Sequence, residues 1–336
     1  GTASGIYPSL VLSRLRVISI LKGSNQSSSK HYIRKGMVVF QFVITVFLIS
    51  STLIMRKQLN YIQTKDIGVN YDAIVSVPLY QSASANSLSS AISTAMEKGN
   101  VLKEKLNQHS EISDIGMGTH VFGTDGWANL AYTDDTETFR RFNLLAVDPY
   151  YLNTFGITVK EGRVFDPESG LDKRQSIIVN QAAIDYFGIV NPIGKQLPGN
   201  DFGDHAIIGV TDNFNYSSLH YEVEPLIITQ NITPIFQGIS DNGFGDSPIP
   251  KLVFRYNGPQ LSKVKDVLES EWENIFPGEE LNFSFVEENM NFQYESEHRM
   301  NRLVTVSTIL SIIIAGLGLL GLTVLVINSR IKEIGI

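Results

Sequence analysis

One stretch near the C-terminal end of the sequence constrains the fold more than any other. Residues 303–328 form a run of 26 residues without a formal charge, LVTVSTILSIIIAGLGLLGLTVLVIN, and the basic segment SRIKEIGI follows at once. A helix rises about 1.5 Å per residue, so the run exceeds the roughly 20 residues that cross about 30 Å of hydrocarbon. A buried helix of a soluble domain is the alternative, but such helices rarely stay uncharged for this length. The run therefore predicts a membrane-spanning helix over 303–328.

A second uncharged run, GMVVFQFVITVFLISSTLI, covers residues 36–54 and predicts another membrane helix over 34–56. It lies too far into the chain for a simple signal peptide, and no small-residue cleavage pattern follows it. The two runs bracket about 245 residues, enough for a hydrophobic core of their own and for two subdomains.

The charges are sorted along the chain. Of 27 basic and 34 acidic residues, the first 65 positions hold nine basic and no acidic ones, and residues 329–336 hold two basic and one acidic. Residues 66–328 therefore hold 16 basic and 33 acidic residues, a net charge of −17. Basic flanks of membrane helices stay in the cytoplasm, so both ends are predicted inside and the acidic middle outside. Arg56 and Lys57 lie on the wrong side for this rule, which snorkelling accommodates.

The pattern of the middle region predicts its architecture. IVSVPLY (74–80), a helix over 87–109 with Gly99 as a candidate break, and EISDIGMGTH form one β-α-β unit. KLVFRYNG (251–258), a helix over 259–276 and LNFSFVE form another. Two such units about 130 residues apart predict one split ferredoxin-like subdomain. The residues between them, about 120–248, are rich in strands and turns, with a short helix at 180–187 and a return loop at 238–250.

The predicted fold is thus an α+β membrane protein, in which two transmembrane helices flank an extracytoplasmic domain with a strand-rich inserted subdomain. The predicted segments are a cytoplasmic juxtamembrane segment (1–33), a transmembrane helix (34–56), an outer domain with helical stalks (57–302), a second transmembrane helix (303–328) and the start of a cytoplasmic segment (329–336). Both ends of the sequence are abrupt, so we expect a longer protein with further membrane helices.

Two sequence patterns mimic nucleotide-binding motifs. Gly316, Gly318 and Gly321 satisfy G-x-G-x-x-G, but that fingerprint needs a strand, a turn and a solvent-facing helix start, whereas these glycines lie in an apolar membrane run. Residues 188–195 resemble a phosphate loop but have one residue too many, and Gln196 replaces the magnesium-binding hydroxyl. We expect a helix-packing role for the glycines and a tight turn at 188–195, and no ATP hydrolysis by this chain.

Composition and motifs also argue against other chemistry. The six histidines include no H-E-x-x-H motif, and the cluster of Asp201, Asp204 and His205 is typical of a surface turn as well as of a metal site. No G-x-S-x-G motif or cysteine nucleophile is present. The acidic middle region disfavours nucleic acid. We therefore predict a protein that is not an enzyme and has no catalytic residues, metal site or cofactor.

Small and weakly polar residues recur on one face of each predicted membrane helix. Such residues let helices approach closely in lipid, where the hydrophobic effect does not drive association. The predicted packing residues are Gln41, Thr45, Leu48 and Thr52 in the first helix, and Ser307, Ser311, Ala315 and Gly318 in the second.

Five stretches together resemble the MacB/FtsX-type permeases of bacterial ABC systems. The stretches are GIYPSLVLSRLRVISILKG (5–23), the first helix with its continuation (34–72), FGIVNPIGKQL (187–197), IIGVTDNFNYSSLHYEVEP (207–225) and the last helix with its flanks (292–336). The first resembles the end of one permease half, and the others resemble the ectodomain-bearing part of the second half with its MacB-like periplasmic core domain.

The resemblance implies a function and partners. It implies a permease subunit, multi-pass in the bacterial inner (cell) membrane, that transmits movement from a separate cytoplasmic ABC ATPase to its periplasmic domain for export (efflux) or extraction of a substrate. ATP would be bound by that partner and not by this chain. The other implied partners are the lipid bilayer, a second permease half in a dimer or pseudo-dimer, and a periplasmic adaptor or hydrolase. The implied ATPase-coupling residues are Arg330, Lys332, Glu333, Ile334 and Gly335.

Two alternatives remain open at this point. A sensory ectodomain held between two membrane helices would be followed by a long cytoplasmic signalling segment. An FtsX-like regulator would keep the fold but activate a cell-wall hydrolase outside the cell without transport.

Overall fold

The computed structural model describes residues 29–79, 88–124, 126–199, 201–243, 250–257 and 261–334. It is a mixed α+β structure in which two long helices flank a sheet-rich domain. Most of the predicted juxtamembrane segment 1–33 lies outside the described residues.

The helices are α1 (Ser29–Thr64), α2 (Leu88–Leu106), α3 (Tyr151–Thr154), α4 (Asp172–Gln175), α5 (Gln181–Phe187), α6 (Thr233–Phe236), α7 (Leu261–Ile275), α8 (Val286–Phe292) and α9 (Glu295–Ile334). The strands are β1 (Ile74–Pro78), β2 (Ile112–Gly118), β3 (Ala128–Thr133), β4 (Phe139–Ala146), β5 (Val159–Gly162), β6 (Ser176–Asn180), β7 (Ala206–Thr211), β8 (Leu226–Thr229), β9 (Asp241–Gly243), β10 (Lys251–Tyr256) and β11 (Ser284–Phe285).

The two long helices extend beyond the uncharged runs that predicted them. Helix α1 continues past Arg56 and Lys57 to Thr64, and α9 begins at Glu295, eight residues before the uncharged run. The stretch before the last transmembrane helix, predicted as a helical stalk, consists of two helices, α8 and the start of α9. Helix α8 ends at Phe292, where the chain makes a turn in which the Tyr294 N–H bonds the Asn291 carbonyl at 3.1 Å.

The first sheet has four strands in the order β11-β1-β10-β2, and each neighbouring pair is antiparallel. Helix α2 connects β1 to β2, and α7 connects β10 to β11. Both helices pack on one face of the sheet in a cluster that we call the outer helical core, which contains Val75, Val77, Phe254, Leu102, Leu268 and Trp272. Gly99 does not break α2 as expected. A Cβ at this position would lie 2.5 Å from Leu79 Cδ1, so the glycine lets the helix approach the sheet closely.

The second sheet has seven strands in the mixed order β5-β7-β6-β8-β4-β3-β9. Helix α5 begins where the Asn180 side chain accepts the Ala183 N–H at 2.9 Å and ends at Gly188 in the left-handed conformation. It covers the insert core, a cluster that includes Tyr132, Phe142, Ile177, Val179 and Ile227. Residues 241–243, expected in the return loop, instead form β9 on β3.

A third apolar cluster, the central core, takes one face from each sheet. Along β1 and β10, Ile74 and Val253 belong to the central core, whereas Val75 and Phe254 belong to the outer helical core. Residues of the second sheet alternate in the same way, with Ile178 in the central core between two residues of the insert core. Both sheets are therefore buried on both faces, which explains why β6 and β8 are almost uninterrupted apolar runs.

An ion pair between the half-exposed Arg163 and the buried Asp172 holds one edge of the second sheet together. The Asp172 carboxylate is 0 % exposed and accepts bonds from the Arg163 guanidinium, from the Asp166 N–H at 2.8 Å and from the Ser176 hydroxyl at 2.7 Å. The Arg163 guanidinium is the largest cause that lowers the pKa of Asp172 below its usual range. Charge and bonds therefore both favour the ionised form.

We expect Asp172→Asn to lower the free energy of unfolding by about 2–3 kcal/mol, because a buried neutral amide loses the charge-assisted bonds that the Asp172 carboxylate accepts. The measurement is urea unfolding of the full chain in detergent, followed by the fluorescence of its two tryptophans, Trp127 and Trp272, both in the sheet-rich domain. Because the folded-state pKa is lowered, this stabilisation is present above about pH 4 and is lost as the pH falls further. Asp212→Asn is the matched control, since its pair with Lys160 is 68 % and 59 % exposed and should contribute below about 0.5 kcal/mol. Equal effects of the two substitutions would contradict the assignment.

Candidate functional site

Helices α1 and α9 have the properties of membrane spans. Residues Lys35–Thr64 and Glu295–Val324 are long and apolar enough to cross a bilayer, and only 11 % of each most apolar window is buried. A core helix of a soluble protein would be mostly buried, whereas these helices expose valine, leucine, isoleucine and phenylalanine along their length. An exposed apolar surface of this extent needs lipid or a partner to cover it. The chain is therefore a membrane protein.

The two helices contact each other along a regular seam. The less exposed positions alternate at spacings of four and three residues, which is the heptad spacing of left-handed helix pairs. Pairing runs antiparallel, because residues early in α1 meet residues late in α9. The seam positions are Gln41, Thr45, Leu48, Thr52, Met55 and Leu59 in α1, and Val304, Thr308, Ser311, Ala315, Gly318 and Leu322 in α9.

Hydroxyl groups meet at two levels of this seam. Thr45 Oγ1 lies 2.7 Å from Ser311 Oγ, and Thr52 Oγ1 lies 2.8 Å from Thr308 Oγ1. Each threonine hydroxyl also lies within hydrogen-bond distance, 2.8–2.9 Å, of the carbonyl four residues earlier in its own helix. Because a hydroxyl has one hydrogen, it donates either to that carbonyl or across the seam. Each threonine hydroxyl therefore has an acceptor within reach, as lipid requires, and an interhelical bond adds about 0.6 kcal/mol on average.

The structure places the predicted packing residues individually. Ser311, Ala315 and Gly318 lie on the seam, and a Cβ at Gly318 would come within 3.0 Å of Gln41 Oε1. Ser307 is exposed and bonds the Leu303 carbonyl of its own helix, so its expected place on the packing face is wrong. Thr308 occupies that place. Successive positions four residues apart move gradually around a helix that has 3.6 residues per turn, so they do not stay on one face. The positions that contact a second helix are instead spaced alternately three and four residues apart.

The nucleotide-like patterns have structural roles. Gly316, Gly318 and Gly321 lie inside the continuous helix α9. In the region 188–195, Gly188 ends α5, and the Gly194 N–H bonds the Ile207 carbonyl at 2.8 Å, which joins the turn to β7. Neither region offers free backbone donors at the start of a helix to a phosphate.

His205 is a buried structural residue. Its Nδ1 lies 2.7 Å from the Gly203 carbonyl, and its Nε2 accepts the Leu197 N–H at 2.8 Å. Burial lowers the pKa of His205, which favours the neutral ring in this arrangement. Within the described ranges, no group of three or more His, Asp or Glu side chains could hold a metal ion.

The proposed coupling residues lie at the end of α9. The helix backbone includes Arg330, Lys332, Glu333 and Ile334, while Gly335 lies outside the described residues. The side chains of this segment also lie outside the described part of the chain.

Residues 65–73, which we call the first connecting segment, follow α1 and are built into the central core. Ile67 and Val69 are buried in it, and Tyr71 packs against it. Backbone bonds fix the segment on two sides, from the Asn70 N–H to the Phe155 carbonyl at 2.8 Å and from the Asn215 N–H to the Ile67 carbonyl at 2.8 Å.

Residues 286–294, the second connecting segment, precede α9 and enter the same core. Val286 and Met290 of α8 are central-core residues. The glycine at position 123, with φ +79°, lies so close to α8 that a Cβ there would be 2.5 Å from the Met290 nitrogen. Tyr294 OH accepts the Leu219 N–H at 2.9 Å. Both connecting segments therefore join the core that both sheets share.

Two titratable groups, His120 and Lys251, are held largely out of water. The His120 ring contacts the Trp127 ring with centroids 4.0 Å apart and planes tilted by 43°, and burial lowers the pKa of His120 to about 4. Burial also lowers the pKa of Lys251, at the start of β10, to about 8, and its ammonium group donates to the Thr119 carbonyl at 3.3 Å. His120 is therefore neutral at pH 7, and acidification has to reach about pH 4 before it charges.

Two adjoining cavities lie beside β11, with volumes of about 220 and 150 Å³. They share Leu261 and Phe285, and the smaller one also contacts Glu287 and Glu288. Each is below the roughly 300 Å³ at which pockets for drug-sized ligands begin. The junction of the connecting segments is thus the stronger candidate site.

The chain is similar to solved structures of low sequence identity. No protein-family model matches the chain, and no curated protein sequence matches it. The solved structures that are similar to this chain include three domains. The first is the periplasmic region of MacB from Actinobacillus actinomycetemcomitans, at 12 % identity and a TM-score of 0.41, with 66 % of this chain and 91 % of that one covered. The second is a domain of a putative permease protein from Porphyromonas gingivalis, at 15 % identity and a TM-score of 0.40, with 64 % of this chain and 89 % of that one covered. The third is the extracellular domain of the noncanonic ABC-type transporter YknZ from Gram-positive bacteria, at 13 % identity and a TM-score of 0.39, with 63 % of this chain and 99 % of that one covered.

The three domains belong to MacB, to a putative permease and to an ABC-type transporter, the kinds of protein that the sequence resemblance predicted. At such identities and TM-scores the likeness concerns shape. The function proposed below therefore rests on the chain's own residues.

Cysteine cross-linking can check the register of the seam, because the chain has no native cysteine. We expect Thr52→Cys with Thr308→Cys to form a disulfide readily in the membrane, since their hydroxyl oxygens lie 2.8 Å apart. The matched pair, Thr52→Cys with Ser307→Cys, should form at least about tenfold less product on non-reducing gels, because position 307 is exposed away from the seam. The opposite order of yields would contradict the heptad register.

A glycine pair can test the docking of α8. We expect Gly123→Ala to destabilise the domain by at least about 2 kcal/mol more than Gly278→Ala. Both glycines have φ near +78°, but position 278 has open space around it, so the control carries the backbone strain without the clash. Urea unfolding of the full chain measures both, and hydrogen exchange of residues 286–292 should rise only in Gly123→Ala. Equal destabilisation by the two substitutions would show that α8 can move away from position 123 without loss of stability, which would contradict its tight docking there.

Proposed function

We propose that this chain is a permease subunit of an ABC-type system, which transmits ATP-driven movement from a separate cytoplasmic ATPase to an extracytoplasmic domain, for export or extraction of a substrate. One observation carries the proposal. Both connecting segments, which continue the two membrane helices along the chain, are buried in the core that both sheets share. Displacement of either segment therefore has to displace residues that contact both sheets, because packed cores transmit strain.

The proposed topology places both chain ends in the cytoplasm and residues 57–302 outside, in a multi-pass protein of the bacterial inner membrane. The nine basic residues among the first 65 and the net charge of −17 over 66–328 support this orientation.

We also infer that the four-stranded sheet with α2 and α7 is one split ferredoxin-like unit. The order β11-β1-β10-β2 and the two interleaved β-α-β connections support this inference, and an experimental structure with another strand order would refute it.

In this proposal ATP acts only through the partner subunit. ATP can shift the permease only if the ATPase contacts differ between nucleotide states. The expected contact on this chain is the segment from Arg330 to Gly335, which continues the helix whose residues form the seam with α1. A second permease half and an adaptor or hydrolase outside the cell complete the proposed set of partners.

The coupling role can be tested in the full protein reconstituted with its partner ATPase. We expect Glu333→Ala combined with Ile334→Ala to abolish the ATP-dependent change in hydrogen exchange of the outer domain, while ATP hydrolysis by the ATPase itself continues. The control is Ser329→Ala, which alters the same segment outside the proposed contact residues. A double variant that keeps the wild-type ATP response would refute the assignment of these residues.

A further inference from the structure

Arg255 occupies an unusual position among the basic residues of the outer domain. It lies on β10, and its guanidinium donates to three backbone carbonyls and one side-chain amide. Two of the carbonyls, those of Asn70 at 3.0 Å and of Asp72, belong to the first connecting segment, while the third is the Thr154 carbonyl of α3 at 2.9 Å. No carboxylate among the described residues forms an ion pair with it.

The three parts joined by this guanidinium are distant in sequence. Asn70 is 185 positions before Arg255, and Thr154 is 101 positions before it. Strand β10 belongs to the four-stranded sheet, whereas α3 follows β4 of the seven-stranded sheet. The Arg255 side chain thus links three parts of the outer domain, namely the first connecting segment, strand β10 and helix α3.

Only arginine has the donor geometry for this arrangement. Its planar fork presents donors in fixed directions, and here one terminal nitrogen serves Asn70 and Asp72 while the other serves Asn70 and Thr154. A lysine has the same charge at a single point and cannot reach both sides at once. Charged donors also make stronger bonds to carbonyls than neutral donors do.

We propose that Arg255 is a positioning residue that clamps the first connecting segment to β10 and α3, so that the segment moves as one body with both parts of the domain. This inference deepens the proposed function and rests on it for its purpose, since a stiff connection is what force transmission requires. The clamp itself is a property of the outer domain and can be measured without any ATPase.

The first measurement is hydrogen exchange of the full chain in lipid nanodiscs. We expect Arg255→Ala to raise exchange of residues 66–73 at least about tenfold, because several charge-assisted bonds are lost while the buried side chains remain. Arg255→Lys should give most of this increase although the charge is kept. Arg140→Lys is the control, since that arginine bonds within the β3–β4 hairpin and to Tyr186. Exchange of 66–73 that stays within about twofold of wild type in Arg255→Ala would overturn the proposal.

A covalent substitute for the clamp separates positioning from a general effect on folding. A Cβ at Gly156 would lie 3.6 Å from the Asn70 Cβ, within the range of about 3.5–4.5 Å that disulfides require. We expect Asn70→Cys with Gly156→Cys, oxidised in the Arg255→Ala background, to restore slow exchange of 66–73, and reduction to remove it. Unchanged tryptophan fluorescence in Arg255→Ala would show that the fold persists. A cross-linked variant that still exchanges rapidly would refute a positional role.

Addition of the partner ATPase distinguishes this inference from the proposed function. If the wild type shows an ATP-dependent change in exchange of residues 151–157, Arg255→Ala should lose it and the oxidised cross-link should restore it. If the wild type shows no such change, the proposed function fails, whereas the clamp is still decided by exchange of 66–73 alone. If Arg255→Ala retains the full change, Arg255 is not needed for transmission.

Discussion

The structure depends on burial of one apolar layer that no single element could cover. The central core receives side chains from both sheets, from the loop at 121–122 and from both connecting segments. Burial of apolar surface contributes about 25 cal/mol per Å², so the large aromatic residues here, such as Phe122, Phe155 and Phe214, contribute heavily. Because the same residues cover one face of each sheet, neither sheet can move away without exposing this apolar layer to water. The outer domain is therefore held together where the chain enters and leaves it.

The membrane helices satisfy a different constraint. In lipid every backbone group needs an internal partner, and apolar burial does not drive helices together. The seam combines small residues and hydroxyls with apolar side chains such as Leu48 and Leu59, and Ala315 and Gly318 allow close approach. In the outer domain, by contrast, aromatic and branched side chains fill the space between sheets. The same chain thus uses two kinds of packing, each suited to its surrounding solvent.

Sequence patterns predicted the features that depend on neighbouring residues. Uncharged length predicted α1 and α9, and alternation with turn residues predicted the strands of the four-stranded sheet. The errors have physical reasons. Ser307 was placed on the seam because a four-residue step ignores the drift around a helix, and Gly99 was considered a break although its missing Cβ serves a close contact. Arg255 and the glycine at 123 could not be found in this way, because their partners lie more than 100 positions away and are brought together only by the fold.

The two kinds of packing also differ in what it costs to disturb them. Along the seam, the hydroxyls of Thr45, Thr52 and Thr308 each lie within reach of a carbonyl of their own helix, so a hydroxyl that loses an interhelical bond can donate there instead. Each such contact contributes about 0.6 kcal/mol. In the outer domain, opening the core exposes aromatic side chains worth several kcal/mol each when truncated. Separating the two helices is therefore less costly than opening the central core.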